Sequence, residues 1–463
     1  MTVTLAKKLQ ASEVALMCGG RLIGDDITVG AVTTDSRDAA PGTMFIAIKG
    51  ERFDGHDFVA PAAGQGLSAA MVSRIPDGIP GGLTLISVGD TVEALGSLAR
   101  EYKRLFSLTV IAVTGSVGKT TTKEFVYSVV SEKYKTVKTE GNHNNNIGLP
   151  MTLLSLEADT EVAVIEMGMN APREIAYLTR LAEPDIGIIT NIGTSHIERL
   201  GSREGIAKAK LEIREGMKLG SKLLLNGDEP LLAGHDAIYI GKGEDCDFRI
   251  ANVIEGNNGS AFDLKVDKDK IESIVIPTFG EHNVMNAAFA YAAGSALGIG
   301  EFEIRRGLMN YKTTGMRQKL GAAGGRTLIE DCYNASPESM IASLKVLSDM
   351  AKREHKRSVA VLGNMLELGF YSEEGHRRVG AGVALEMTGM LITFGKSAVD
   401  IAKSAVAFGM DPEKVFIFEN TEDVRSVSDF LLKNTDDNDI ILFKASRGVK
   451  LERVIDCIKN ENK

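Results

Sequence analysis

Residues 108–130 read LTVIAVTGSVGKTTTKEFVYSVV, and this stretch decides the fold. Its opening run, LTVIAV, is apolar and β-branched, as in a strand buried on both faces. Its second half puts Phe125, Val126, Val129 and Val130 on one helical face. Between them lies the turn Thr114-Gly115-Ser116-Val117-Gly118-Lys119-Thr120-Thr121. A glycine turn from buried strand to helix is the context a phosphate loop requires. The glycines let backbone N–H groups face an anion, and the helix start adds partial positive charge. Lys119 is then expected at the terminal phosphates and the Thr120 hydroxyl on Mg²⁺. Val113 stands where the general pattern has its first glycine. The plain alternative is a tight turn with an exposed lysine. The coincidence of Gly-Lys-Thr with the right strand and helix favours phosphate binding.

Working outward, VAVIE (162–166) and IGIIT (186–190) read as further buried strands, and KLLL (222–225) as a shorter one. Helices fall between them. One has Pro172 at its first position, and another runs from Arg203 to Lys218 and ends at Gly220. Strands separated by helices predict a parallel sheet. Residues 247–277 change period around Asn258-Gly259, which predicts a hairpin insert, and an alanine-rich helix follows over 284–297. From residue 326 the alternation restarts: TLIED, SVAVLG, MLITFG, KVFIF and DIILFKA predict a second α/β sheet of about five strands, joined near Gly315. Residues 1 to about 105 mix short strands, ITVGAVTTD and MFIAI among them, with helices at the N-terminus and at Val92 to Tyr102. Pro41-Gly42 marks a turn. The expected class is α/β with three parts.

The 463 residues suit about three domains of ordinary size. With 44% hydrophobic and 25% charged residues the chain has the profile of a soluble globular protein. A net charge of −9 argues against a general nucleic-acid binder. Cys18, Cys246, Cys332 and Cys457 are widely spaced, so neither a CxxC pair nor a disulfide scaffold is expected. The first twenty residues read as an amphipathic helix rather than a signal peptide. No run reaches the roughly 18 apolar residues of a membrane span. A cytoplasmic protein is expected.

Several polar residues sit where chemistry could use them. Glu166 ends a buried strand beside the phosphate loop, a place for a second Mg²⁺ contact or for an ordinary solvated strand end. Asn191, His196 and Lys210 follow the next strand. A lone histidine such as His196 is more often structural than a ligand. Lys210 has Ile206, Ala207, Ile213 and Arg214 one turn away, so no acid pairs with it along the helix. A solvated lysine is still its default reading. Gly141-Asn142-His143-Asn144-Asn145-Asn146-Ile147-Gly148-Leu149-Pro150 is dense in amides, which suits a polar, peptide-like substrate; the alternative is asparagines in left-handed turns. Glu281-His282-Asn283 opens the alanine-rich helix, with Asn283 or Asn286 toward a base or merely at a polar helix start. Arg317 and Asp331 flank the joint, to hold γ-phosphate and ribose or to form an ion pair with each other.

These residues together resemble the Mur ligase family, ATP-dependent amide ligases of peptidoglycan-precursor synthesis. TGSVGKTTTKE is similar to that family's phosphate loop, which also lacks the early glycine. Asp35-Ser36-Arg37, FIAIKGERFDGHDF (45–58), GNHNNNIGLP, GTSHIERLGSREGIAKAKLE, the Asp331 stretch DCYNASP and VLGNMLELG (361–369) extend the resemblance over the whole chain. It implies three domains: 1–105 for a uridine nucleotide, 106–316 for ATP on a P-loop, and a Rossmann-like 317–463 for the amine. It implies joining of D-alanyl-D-alanine to a UDP-muramoyl tripeptide through an acyl phosphate, with ATP and Mg²⁺; apart from the resemblance, a monomer is expected. The implied catalytic residues are Lys119, His196 and Lys210, the last matching a carbamylated lysine. A CO₂ adduct would give Mg²⁺ carboxylate-like oxygens where an ammonium would be repelled. Thr114, Gly115, Ser116, Gly118, Lys119, Thr120, Thr121, Asn283, Arg317 and Asp331 match ATP-contacting positions. Thr120, Glu166, His196 and Lys210 match the metal positions. Ser36 and Arg37 match the uridine region, and Asn142, Asn144 and Asn145 the substrate loop.

Asn364, Ala445 and Ser336 depart from the family's aspartate, glycine and asparagine. The Asp-Asn-Pro-Arg motif of relatives that add a diamino acid is absent. The rivals are a ligase adding one amino acid, a folylpolyglutamate synthase, and a P-loop ATPase or GTPase of unrelated role. A guanine-reading Asn-Lys-x-Asp motif is absent. A mechanical ATPase would leave the asparagine loop and the third domain without a task.

Overall fold

The computed structural model describes residues 1–267 and 270–461. By compactness the chain divides into two units. The first holds Met1–Thr114, Lys133–Ile188 and Ala209–Leu223, and the second holds Gly115–Glu132, Ile189–Lys208 and Leu224–Lys463.

In the first unit a six-stranded sheet runs in the order Thr2–Gln10, Thr28–Thr33, Thr43–Ile46, Ala69–Val72, Thr84–Ser87, Arg21–Ile23. The four inner strands are parallel and the two edges antiparallel. The N-terminus corrects the expected helix. Thr2–Gln10 is a strand, because Thr-Val-Thr-Leu alternates and buries Val3 and Leu5 on one face. Helix begins only at Ala11, where Gln10 and Glu13 form a reciprocal cap. The same unit carries Thr109–Thr114, with Val162–Glu166 parallel beside it and Thr136–Lys138 parallel beside that. Every side chain of Val162–Glu166 is buried, as expected of a strand covered on both faces.

Two helix boundaries differ from the expected ones. Pro172 lies in the turn before its helix, which spans Glu174–Ala182 after a left-handed Arg173. The helix from Arg203 stops at Leu211 and tightens into a 3₁₀ turn over Glu212–Gly216. A Cβ at Gly216 would stand 2.3 Å from the Thr179 carbonyl carbon, so the chain passes too close there for any larger residue.

In the second unit Ile238–Gly241 and Phe248–Glu255 are parallel, and Ser260–Asp267 and Lys270–Ile276 continue as an antiparallel meander. The Asn258-Gly259 turn stands as expected, with one strand more than a hairpin. The last sheet runs Lys319–Ala323, Arg326–Asp331, Asp439–Lys444, Arg357–Gly363, Met390–Phe394, Val415–Phe418. Its first strand, the sixth, was not expected. KLGAA is half exposed and carries no apolar run. The other five are parallel. Val359 and Val361 point into one core with Phe443 and Val454; Ala360 and Leu362 point into the other with Leu344 and Leu347. Burial on both faces explains why these strands are apolar without alternation.

Candidate functional site

Lys119 is the first residue of the helix Lys119–Val130. Its ammonium donates to the carbonyls of Gly115 at 2.9 Å and Ser116 at 3.3 Å, so it lies back across its own loop. Gly115 has φ 151°, and a Cβ there would meet Thr190 Oγ1 at 1.9 Å. Asn191 closes the loop from the other side. Its Oδ1 accepts from the Ser116 N–H at 3.1 Å and the Val117 N–H at 2.9 Å. Two of the loop's amides are therefore held by Asn191, a residue noticed in the sequence without a role. Ser116 Oγ is buried with no hydrogen-bond partner among the described residues. A buried hydroxyl left open in a glycine turn suits a polar ligand. Thr120 is buried at the helix start, and Thr121 is partly buried beside it. The Thr114 hydroxyl is buried and donates to the Met167 carbonyl at 2.9 Å.

In the first unit Glu166 is 2% exposed, which rules out a solvated strand end. Its backbone pairs with Val113, and its Oε1 accepts from Asn144 Nδ2 at 2.8 Å. The asparagine loop is not a run of left-handed turns, since Gly141 alone among residues 141–148 has positive φ. Asn145 Oδ1 accepts from the N–H groups of Ile147 at 3.1 Å and Gly148 at 2.8 Å, closing the start of the helix Gly148–Leu154. Asn142 is exposed. Thus one amide holds the candidate metal carboxylate and one caps a helix. Lys210 is 2% exposed, next to last in its helix, so the reading as a solvated lysine is overturned.

In the second unit the loop Gly193-Thr194-Ser195-His196 meets residues of the last sheet's region. His196 has φ 64°, and its Nδ1 pairs with Glu367 at 3.0 Å. A carboxylate on Nδ1 orients the ring and leaves Nε2 for a metal. The hydrogen bond from His196 lowers the Glu367 carboxyl. Glu338 accepts from Thr194 Oγ1 at 3.1 Å and from Arg378 at 3.2 Å. Neither glutamate was singled out in the sequence; both lie far along the chain, and only the fold brings them to this loop.

Asn283 is buried, and its amide donates to Phe279 O at 2.8 Å and Gln318 Oε1 at 2.8 Å. Asn286 accepts from Thr122 Oγ1 at 3.0 Å. Both amides are thus engaged within the protein. Arg317 and Asp331 do not pair with each other. The Arg317 guanidinium stacks on Tyr333, 3.7 Å from the ring centroid. Asp331 Oδ2 accepts from Lys444 at 2.6 Å and Ser343 at 2.7 Å. Ser36 opens a short 3₁₀ turn in the first unit, and the exposed Arg37 forks onto Asp35, holding that carboxyl well below the usual range.

Of the departures, Ser336 caps the helix Pro337–Glu354 as an asparagine would. Ala445 is fully buried in the core of the last sheet. Asn364 Oδ1 accepts from the Ala398 N–H at 2.9 Å.

Among the described residues, no group of three or more His, Cys, Asp or Glu could hold a metal by itself. A single buried carboxylate such as Glu166 suits Mg²⁺, which takes one or two carboxylates and fills its shell with water and phosphate oxygens.

Comparison with known proteins covers nearly the whole chain. Residues 28–103 match the Mur ligase family, catalytic domain; 113–294 the Mur ligase middle domain; and 316–447 the Mur ligase, glutamate ligase domain. The chain is 40% identical, over 97% of its length and 98% of the relative, to UDP-N-acetylmuramoyl-tripeptide–D-alanyl-D-alanine ligase of Bacillus subtilis (strain 168). Its fold is similar to a crystal structure of MurF from Acinetobacter baumannii, with TM-score 0.89 and 30% identity, covering 99% of this chain and 100% of that one. It is also similar to MurF ligase from Thermotoga maritima in complex with ADP, with TM-score 0.82 and 29% identity, covering 93% and 97%.

Proposed function

The chain belongs to the Mur ligase family, and from that premise we propose that it joins D-alanyl-D-alanine to UDP-N-acetylmuramoyl-tripeptide, converting ATP to ADP and phosphate. The observation that carries this reading is the end-to-end match at 40% identity to a relative of that name. We assign residues 1–105 to the uridine nucleotide, 106–316 to ATP and 317–463 to the amine. The three family matches, at 28–103, 113–294 and 316–447, support that division. ATP as co-substrate places the work in the cytoplasm, and we take the working form as a monomer.

The substrate carboxylate attacks the γ-phosphorus, the bond to the bridging oxygen breaks, and ADP leaves as the acyl phosphate forms. The neutral amine then attacks the carbonyl carbon, and phosphate leaves from a tetrahedral intermediate. The protein's task is positioning and charge neutralisation. Lys119 leaves the carbonyls of its own loop for the terminal phosphates, a short swing for a side chain already at the site. Arg317, held flat on Tyr333, presents its fork toward phosphate oxygens. Thr120, Glu166, His196 and Lys210 carrying a carbamate would hold Mg²⁺, which supplies neutralisation of phosphate charge. Asn144 and Glu367 orient two of those groups. Ser36 and Arg37 serve the uridine nucleotide, Asn142 and Asn145 the peptide, and Asn283 and Asp331 the nucleoside of ATP.

Offering D-alanyl-D-alanine, D-alanine, L-lysine and diaminopimelate in parallel tests the amine. Acceptor-dependent phosphate release is expected to be fastest with the dipeptide. Faster release with any single amino acid would overturn the dipeptide and leave the broader ligase assignment.

A further inference from the structure

Glu212 opens the 3₁₀ turn two residues after Lys210, and it is 8% exposed. A buried carboxylate is costly unless its oxygens are hydrogen-bonded. Those of Glu212 are. Oε1 accepts from the Arg173 N–H at 3.0 Å and Oε2 from the Ala176 N–H at 3.2 Å. Both donors belong to the start of the helix Glu174–Ala182, whose first N–H groups have no partner within the helix. A carboxylate from a distant segment therefore caps this helix, with charge-assisted bonds on both oxygens.

The connections on either side give that cap a consequence. The capped helix is joined to Glu166 by the short segment 167–173, itself pinned where Met167 O accepts from Thr114 and the Gly168 N–H donates to Asn144 O. On the other side only Leu211 separates Glu212 from Lys210. One side chain thus links the backbone that carries Glu166 to the backbone that carries Lys210. The outer clasp between Arg173, Arg180 and Glu215 is solvent-exposed and correspondingly weak.

We propose that Glu212 is a positioning residue of the ligase, whose carboxylate sets the spacing of Glu166 and Lys210 and so builds the metal-side half of the site. This rests on the roles proposed above for Glu166 and Lys210.

Glu212→Gln and Glu212→Ala test it against Glu215→Gln, which removes only the outer clasp. Two quantities are read: the Mg²⁺ concentration for half-maximal phosphate release with both substrates present, and the lysine-carbamate signal in ¹³C NMR after loading with ¹³C-bicarbonate, without nucleotide. Both Glu212 variants are expected to raise the Mg²⁺ requirement about 10–100-fold, as when an orienting partner of a metal ligand is lost. They should also lose most of the carbamate signal and keep the wild-type KM for D-alanyl-D-alanine. Glu215→Gln should match wild type. If Glu212→Ala does not fold, Glu212→Gln, with nearly the same volume, decides. Folded Glu212 variants with the wild-type Mg²⁺ requirement would overturn the proposal and leave Glu212 a helix cap. A wild-type protein without the carbamate signal would instead overturn the Lys210 role, and the Mg²⁺ requirement alone would then decide the positioning claim.

Discussion

At Gly118 the chain turns with φ 83°, and a Cβ there would stand 2.8 Å from Asn286 Oδ1. Glycine is required twice over at this point, by conformation and by space. Lys119, one residue on, packs no core. Lys119→Ala is therefore expected to leave the thermal melt unchanged and to lower turnover about 10²–10³-fold, the scale of losing one preorganised charge partner. A folded variant with near-normal turnover would remove the ATP assignment from this loop. Lys210 gives a second residue-level test. Lys210→Ala should lose activity, and short carboxylic acids should restore part of it by supplying the missing oxygens; activity unaffected by the substitution would refute the role. The strand, glycine turn and helix around this loop were legible in the sequence because Gly-Lys-Thr lay between an apolar run and an amphipathic one. The burial of Lys210 was not, because the spacing speaks only of neighbours one turn along the helix and not of what the fold brings around the side chain. The partners Glu338, Glu367 and Lys444 were illegible for a related reason: each lies more than a hundred residues along the chain from the group it touches.

At the scale of elements, the apolar runs were the readable part. Strands buried on both faces, such as Val162–Glu166 and Asp439–Lys444, stand out without any knowledge of neighbours. Elements whose identity depends on a partner did not. Thr2–Gln10 alternates only over its first four residues and is completed as a strand by pairing with Thr28–Thr33, and the helix after Arg203 ends where Glu212 turns to cap another. The helices of the first unit carry a charge-dependent contact of their own. Glu183, just past the helix Glu174–Ala182, takes Lys103 at 2.7 Å and also pairs with Arg104. Burial raises its carboxyl, but the hydrogen bonds from Arg104 and Lys103 more than reverse this and bring it down to about 2. The folded state thus binds fewer protons than the unfolded state between about pH 2 and about pH 4.3, and stability rises with pH across that window. Glu183→Gln should lower Tm by a few degrees at pH 7, and the gap to wild type should close as pH falls from about 4.3 toward 2. Paired melts across that range check it; a gap that stays constant would show that the charge is not what matters.

For the whole molecule, the sequence suggested three domains from restarts of the strand and helix pattern, and family models match at 28–103, 113–294 and 316–447. Compactness instead gives two units, with the first residues after Thr114 grouped with the C-terminal half. The two descriptions differ because a pattern in sequence records where a sheet begins again, whereas compactness records which segments pack together. The amine is the least legible substrate, since a small apolar dipeptide has no distal charge for the protein to read. The central claim is amide ligation through an acyl phosphate, and oxygen transfer tests it most directly. UDP-N-acetylmuramoyl-tripeptide is labelled with ¹⁸O in the reacting carboxylate and incubated with ATP and D-alanyl-D-alanine, and both products are weighed by mass spectrometry. The account predicts one ¹⁸O in the released phosphate and one in the new amide of a product heavier by the dipeptide. Phosphate free of label, or released with no ligated product, would contradict it.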